Sequence, residues 1–271
     1  MAINSLQKYG FDPSLAERAR LHRERNILYA DEFYERAGND LAIYRQIVVG
    51  EVIPHLEEYE GNWHPSGFMI FHLGMHPELG SIRLHIWPKG LRMREDRGAG
   101  KLGDVYDGDI HDHGWFVIAE ALAEYKDTIY KVGFGPRSFT EEELVTSGLF
   151  AVHSVSYFEN GLVGLTELPF VGRVRAAPSE QRTIQPTDLH LLTPGQFHAP
   201  TIPDDELAAT LAINSHREIP GPHVLLQGRM QTLLRPRPSV TTEHKLLAKA
   251  QLLEALAAEQ VLWTPPASNA G

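Results

Sequence analysis

The feature that most constrains the fold is a succession of short strand-like segments in the middle of the chain. Between residues 66 and 214, runs rich in Val, Ile, Thr and aromatic residues alternate with turns of Gly, Pro and Asp. The runs span 68–73, 81–87, 109–122, 127–132, 149–158, 182–192, 197–202 and 207–214. Parallel strands need long crossovers, usually helical, and no helical pattern separates these runs. The sequence therefore predicts an antiparallel sandwich or barrel.

Helical patterns flank this β region. Residues 12–60 place apolar side chains at helical spacing among Arg and Glu. Asn39 or Asp40 is expected to cap a second helix there, and Pro54 to end or kink it near Ile53.

The rest of the chain predicts linkers and one closing helix. The Gly- and charge-rich stretch 89–108 predicts an exposed loop, and the Pro/Arg-rich stretch 229–240 predicts a linker before a helix from about residue 242. We therefore expect one domain in three parts: a helical segment packed on the core (1–65), a β-barrel (66–228), and a linker, helix and tail (229–271).

Composition and charge exclude several classes of function. The chain has 25 Lys and Arg against 35 Asp and Glu, a formal net charge of −10, which repels nucleic acid and anionic lipid. No apolar run predicts a signal peptide or a transmembrane helix, so we expect a cytoplasmic protein without nucleic-acid or membrane partners. The chain has no cysteine, which excludes disulfides, thiolate metal ligands and a cysteine nucleophile.

Histidine is the residue type that points to chemistry. In a strand over 109–121, His111 and His113 would project side by side on one face, with Asp112 on the other. Imidazole is the commonest protein ligand for Fe, Zn, Cu and Ni. A Pro-Gly turn at Pro194 then delivers His198 to the start of a later strand. We expect these three histidines to hold a metal ion.

The combination of H-x-H and a later P-G-x-x-H resembles the two metal motifs of the cupin superfamily, a double-sheet jelly-roll fold. The resemblance implies a mainly β, antiparallel jelly-roll barrel with N-terminal helices and a C-terminal helix. An iron site of three histidines, preceded by N-terminal helices, is similar to that of cysteine dioxygenase and the related thiol dioxygenases. Their first metal motif resembles the stretch IHDHGWFVIAEALAEYKDTIY. The resemblance covers roughly residues 80–215 and is specific around the metal motifs.

The ligand set differs from that of most metal-binding cupins. Those proteins carry a Glu at the fourth or fifth position beyond the second His, where this chain has Val117 and Ile118. Glu120 lies too far along the strand to replace it. The expected ligands are therefore three histidines without a carboxylate.

The substrate-binding pattern of the thiol dioxygenases is also missing. Their Ser-His-Tyr relay corresponds here to Thr210, Ala212 and Asn214, and their carboxylate-binding Arg has no clear counterpart upstream of H-x-H. The metal chemistry therefore carries over better than the thiol substrate.

Alternation along the strand 81–87 suggests substrate-binding residues. Arg83, His85 and Trp87 share one face, and if that face lines the barrel, Arg83 can bind a substrate carboxylate beside His85. The alternative is an outward polar stripe. Trp115, two residues beyond His113, is expected to wall the same pocket.

Three more side chains are candidates from their strand positions. His153 and Tyr157 share a face of 149–158 and can donate a proton or orient bound oxygen, the alternative being a buried tyrosine with a satisfied hydroxyl. His190 either orients a metal ligand or is simply buried. His72 lies in a turn-rich region and receives no role.

Three open coordination positions on a dication suit a chelating substrate together with dioxygen. The expected function is therefore a non-haem Fe(II) dioxygenase that acts on a small polar amino-acid-like or thiol substrate. One alternative keeps the three-His site and uses another divalent metal for isomerisation, hydrolysis or decarboxylation. Another is a non-catalytic protein that binds small molecules. Exposed strand edges favour a homodimer.

Overall fold

The computed structural model describes residues 32–64, 66–76, 79–91, 105–107, 109–157, 162–169, 171–216, 222–227 and 233–262, with backbone alone for 105–107, 233–236 and 260–262.

The helix before the strands has no cap at the position that the sequence predicted. Helix α1 covers 32–47 and runs unbroken through Asn39 and Asp40, so the prediction of a helix cap there is wrong. Asp40 instead hydrogen-bonds His76 (Oδ2 to Nε2, 3.0 Å).

Pro54 coincides with the predicted change in helix geometry. A π-helical turn over Val48–Val52 follows α1 and passes into a 3-10 helix over Ile53–Glu58, with Pro54 in its first turn. Because proline has no backbone N–H, it fits the start of a helical segment and not its interior.

The described residues contain fifteen β-strands, and all their pairings are antiparallel. The strands are β1 (Gly61–Trp63), β2 (Met69–His76), β3 (Gly80–Trp87), β4 (Val105–Asp107), β5 (Ile110–His111), β6 (Val117–Ala123), β7 (Tyr125–Gly133), β8 (Gly148–Tyr157), β9 (Leu162–Glu167), β10 (Arg173–Ile184), β11 (Leu189–Leu192), β12 (Phe197–Pro203), β13 (Ala208–Ser215), β14 (His223–Leu226) and β15 (Leu233–Pro236). Short helix α2 (Glu141–Thr146) precedes β8, and helix α3 (Thr242–Leu262) follows β15.

The strands form two sheets. Sheet A has the order β1-β2-β3-β13-β6-β11, and sheet B has the order β10-β7-β12-β5-β14-β8-β9-β15 with β4 beside β12. A further pairing of β10 with β8 closes part of sheet B into a ring. The fold is mainly β and jelly-roll-like, with a helix before the strands and a helix after them, as predicted from the sequence.

Two predicted strands are broken. The predicted strand 109–122 is β5 in sheet B and β6 in sheet A, and the chain bends between them. The predicted run 182–192 is the end of β10 and all of β11, separated by a turn in which Thr187 has a φ of 73°. Each break lets the chain cross from one sheet to the other.

Strands also occur where none was predicted. β1 lies within the predicted helical segment 1–65, and β15 lies within the predicted linker 229–240 and pairs with β9. β4 lies within the predicted loop 89–108, of which 92–104 is outside the described residues. The boundaries of the three predicted parts stay predictions.

The main core lies between sheet A and the helices. Strands β6 and β13 are buried along their whole length, on both faces of the sheet. On the helix-facing side the core consists of buried aliphatic and aromatic side chains, among them Phe33, Leu41, Leu84, Ile86, Phe116, Ile118, Leu122, Leu252 and Leu256. This packing leaves the opposite face of sheet A to face sheet B. No helix in the described part of the chain is long and apolar enough to cross a membrane.

Candidate metal centre

A cavity of about 670 Å³ lies between the two sheets. Strands β3, β6, β11 and β13 of sheet A and strands β7, β8, β9, β12 and β14 of sheet B contribute side chains to its wall. The volume suits a small molecule.

Three histidines converge at the wall of this cavity. His111 ends β5 and lies directly opposite His198 of β12 in the strand register, and His113 lies between β5 and β6. One nitrogen of each ring lies within 4.8 Å of the corresponding atoms of the others. The ring centroids are 4.4, 5.0 and 5.2 Å apart. The structure therefore brings together the three predicted ligands, and their binding of a metal stays a prediction.

The H-x-H pair converges for a different reason from the predicted one. His113 lies outside any strand, because β5 ends at His111 and the chain bends at Gly114 and Trp115. The buried carboxylate of Asp112 accepts hydrogen bonds from the backbone N–H and ring Nδ1 of His223, and its own N–H donates to the carbonyl of His223 (3.0 Å). The chain just after β5 is thus pinned to β14, and strand alternation does not place His113.

A tight turn connects His113 to His198. Thr193 to Gln196 form a β-turn closed by an N–H···O bond of 3.1 Å, with Gly195 at a φ of 76° that favours glycine. The N–H of Gly195 donates to the carbonyl of His113 (2.9 Å). The predicted Pro-Gly turn therefore positions two of the three histidines.

Hydrogen bonds set the tautomers of two rings. The Nδ1–H of His111 donates to the carbonyl of Asp109 (2.7 Å), and the Nδ1–H of His198 donates to the carboxylate of Asp127 (2.9 Å). Each Nε2 therefore keeps a lone pair for a metal. Burial, followed by repulsion from His198, lowers the pKa of His111 to about 4. Burial also lowers the pKa of His113 well below its usual value. These two rings are therefore neutral at pH 7.

Distances distinguish two clusters of ligand atoms. The Nε2 atoms of His113 and His198 are 3.1 Å apart. Two nitrogens bound at right angles to one metal, each at 2.0–2.1 Å, are about 3.0 Å apart. In the second cluster, Asp127, His190 and His198, the ligand atoms are already joined by hydrogen bonds, with an N–O distance of 2.6 Å between His190 and Asp127. The donor set therefore fits an ion at His111, His113 and His198.

Asp127 is the functional residue that the sequence reasoning missed. Its side chain is fully buried and accepts hydrogen bonds from both His190 (2.6 Å) and His198. Burial alone would raise the pKa of Asp127, but attraction to His198 and the hydrogen bonds from both rings lower it below its usual value. The residue opens a predicted strand, which is a position where an acidic residue is ordinarily exposed, so no local pattern marks it. His190 is buried and reaches His198 only through Asp127, so both of its predicted alternatives stay open.

The predicted substrate-binding residues border the cavity. Arg83, His85 and Trp115 all contribute to its wall, which excludes the outward-stripe alternative for β3. The guanidinium of Arg83 lies 5.9 Å from the ring centroid of Trp115, and His85 shares a hydrogen bond with Thr210 (3.3 Å). Their binding of a substrate stays a prediction.

The two predicted catalytic residues lie in different surroundings. Tyr157 borders the cavity and packs under the guanidinium of Arg237 (5.8 Å). His153 is fully buried, is not part of the cavity wall, and donates from Nδ1 to the carbonyl of Ala151 (3.3 Å). This placement argues against direct contact between His153 and a substrate.

Two further wall residues received no role from the sequence. Arg237 follows β15, and His72 lies on β2, within the predicted strand run 68–73; both border the cavity. Arg237 was hidden by its place in a predicted linker.

Glu120 lies on the opposite face of sheet A from the histidines. Its carboxylate contacts the Arg45 guanidinium (2.8 Å) beside α3. Among the described residues, the candidate centre at His111, His113 and His198 includes no carboxylate.

Comparison with known proteins adds little to this geometry. No protein-family model and no curated protein matches the chain. Among solved structures, it is similar to a chain from the crystal structures of the DMSP lyases RdDddP and RnDddQII, with 12% identity and a TM-score of 0.28. The match covers 59% of this chain and 53% of that chain, so this chain spans about half the length of that protein. Similarity this low assigns neither a family nor an activity.

Proposed function

We propose that the chain is a metal-dependent enzyme that holds one divalent ion with His111, His113 and His198. The observation that carries the proposal is the convergence of three ring nitrogens within 4.8 Å at the wall of the cavity between the two sheets. Catalytic metal sites have three protein ligands and open positions, whereas structural zinc sites are closed by four.

We propose more specifically that the enzyme is a non-haem Fe(II) dioxygenase whose small polar substrate chelates the metal. Bound Fe(II) would supply redox chemistry toward dioxygen and open positions for the substrate. The absence of a carboxylate from the three-His set supports this, because the ion then keeps its full charge for an anionic substrate.

We assign to the residues of the chain three roles: they hold the ion, orient its ligands and form the walls around the substrate. Asp127 fixes the orientation of His198, and the carbonyl of Asp109 fixes that of His111. Trp115 and Val117 give the cavity apolar wall surface. We assign to Arg83, which borders the cavity, the binding of a substrate carboxylate. The hydroxyl of Tyr157 is the proton-bearing group that we assign to the reaction.

Metal analysis and oxygen uptake test this proposal. The full chain is purified without chelator, its metals are measured, and oxygen consumption is followed with candidate amino acids and thiols. We expect near-stoichiometric iron and substrate-dependent uptake. His198→Ala should lose metal affinity by at least about 100-fold, because it removes a ligand and not merely an orienting group. His55→Ala, an exposed histidine, is the matched control.

The other outcomes decide between the alternatives. Bound zinc or nickel without oxygen uptake would overturn the dioxygenase and favour isomerisation, hydrolysis or decarboxylation at the same site. A chain that binds no metal would overturn the metal-dependent enzyme altogether and leave a small-molecule binding protein.

A further inference from the structure

Two arginines from distant parts of the chain border the same cavity. Arg83 lies on β3 of sheet A, and Arg237 follows β15, the last strand of sheet B. Both side chains are half-buried. Both also interact electrostatically with Tyr157, which places the two guanidiniums in one part of the cavity.

Within the described part of the chain, no acidic side chain neutralises either guanidinium. Among the described residues, neither Arg83 nor Arg237 has an ion pair, and the Nε of each is buried without a hydrogen-bond partner. Other arginines of the chain are paired: Arg45 contacts Glu259 (2.9 Å) and Arg182 contacts Glu180 (2.7 Å). Buried charge without a partner is costly, so it usually marks a place where a ligand supplies the partner.

Aromatic rings hold the two guanidiniums without occupying their N–H groups. Arg83 lies 5.9 Å from the Trp115 ring and Arg237 lies 5.8 Å from the Tyr157 ring. A cation stacked on a ring is attracted to its face, while the N–H groups at the edge of the guanidinium stay available for an anion.

The acidic residues of the cavity are committed elsewhere. Asp127 accepts from His190 and His198, and Asp109 acts on His111 through its carbonyl and its charge. Burial, followed by repulsion from Arg237, lowers the pKa of Arg83 although Tyr157 raises it, and the guanidinium is still a cation at pH 7. The two carboxylates of the cavity thus lie beside the histidines, and the positive charges of Arg83 and Arg237 have no carboxylate partner among the described residues.

We propose that the substrate is a small dianion, with one end on the metal and a second anionic group bound between Arg83 and Arg237. The inference rests on the proposed metal function, and it narrows the substrate from a polar chelator to one with two acidic groups. A carboxylate and a phosphonate share the required chemistry for the second group, because both match the guanidinium fork.

Anion binding to the metal-free chain tests the arginine pair independently of the metal. Calorimetric titration with inorganic phosphate should show binding to the wild-type chain and at least about tenfold weaker binding to Arg83→Gln and Arg237→Gln. Arg237→Lys, which keeps the charge and loses the fork, should be intermediate. Arg182→Gln, an arginine outside the cavity, is the matched control and should bind as the wild type does. Phosphate affinity that is equal in all these folded variants would overturn the pair as an anion site.

Matched ligands on the zinc-loaded chain test the dianion. Succinate should bind at least about tenfold more tightly than butyrate, and the preference should disappear in Arg83→Gln and Arg237→Gln. Phosphonopropionate, compared with succinate, shows whether the second group is preferred as a phosphonate. Equal affinity for succinate and butyrate would overturn the dianion while bound zinc leaves the metal site intact. Failure to bind zinc, with phosphate binding preserved, would instead overturn the proposed metal function alone.

Discussion

Asp127 links two histidines through one buried carboxylate, and the metal site depends on that link. Its Oδ2 accepts from His190 at 2.6 Å and from His198 at 2.9 Å. Asp127 is opposite Pro200 in the strand register and so reaches diagonally to His198 on the same face of sheet B. His190 arrives from sheet A, so the carboxylate also ties the two sheets together.

Replacement of Asp127 by Asn should weaken metal binding by about 10- to 100-fold. Asn has nearly the same shape, but its amide nitrogen would replace Oδ1, which lies 3.1 Å from the Nδ1 of His198, and its side chain carries no charge. Competition with a chromophoric chelator measures the affinity, and Asp188→Asn, at an exposed turn, is the control. Unchanged affinity in folded Asp127→Asn protein would show that the carboxylate does not orient His198.

At the level of elements, the β-turn before β12 determines the position of the third ligand. It places His198 opposite His111, and the N–H of Gly195 ties it to the carbonyl of His113. The turn is therefore part of the metal site, although none of its own side chains is a ligand.

Gly195→Ala tests this role of the turn. A left-handed φ costs an alanine about 1–2 kcal/mol, so the free energy of unfolding should fall by that amount. Metal affinity should also fall, because relief of the strain moves His113 or His198. Gly172→Ala is the matched control: its φ of 73° is nearly the same as that of Gly195, and a Cβ there meets nothing within 4 Å. Denaturant unfolding measures the free energy of unfolding of both variants, and metal titration measures their metal affinity. Equal metal affinity in the two would contradict the role of the turn.

The sequence predicted the elements whose signals are local. Hydrophobic alternation located most strands, and the Pro-Gly turn located His198. The end of β5 at His111 was missed because Asp112, the next residue, is hydrogen-bonded to His223, which is 111 residues away. Asp127 and Arg237 were missed for the same reason: their neighbours come from other strands, so nothing beside them in the chain marks them as part of the cavity.

At the level of the whole molecule, sheet A separates the hydrophobic core from the cavity. One face packs against α1 and α3, and the other forms a wall of the cavity. Stability and metal binding should therefore respond to different substitutions.

Leu252→Ala in α3 tests this separation. Leu252 is fully buried in the helix-facing core, so the free energy of unfolding should fall by about 2–5 kcal/mol. Metal affinity of the folded protein should stay within about threefold of the wild type, since the cavity lies across the sheet. Leu247→Ala, at a leucine that is 42% exposed, should change stability by less than about 0.5 kcal/mol. Loss of metal affinity in Leu252→Ala at a temperature where it is folded would contradict the separation.

Anomalous X-ray diffraction from crystals of the iron-loaded chain tests the metal centre most directly. The account predicts one strong peak about 2.0–2.2 Å from an imidazole nitrogen of each of His111, His113 and His198, on the side that faces the cavity. A peak among Asp127, His190 and His198, or a chain in which the three rings bind no ion, would contradict it.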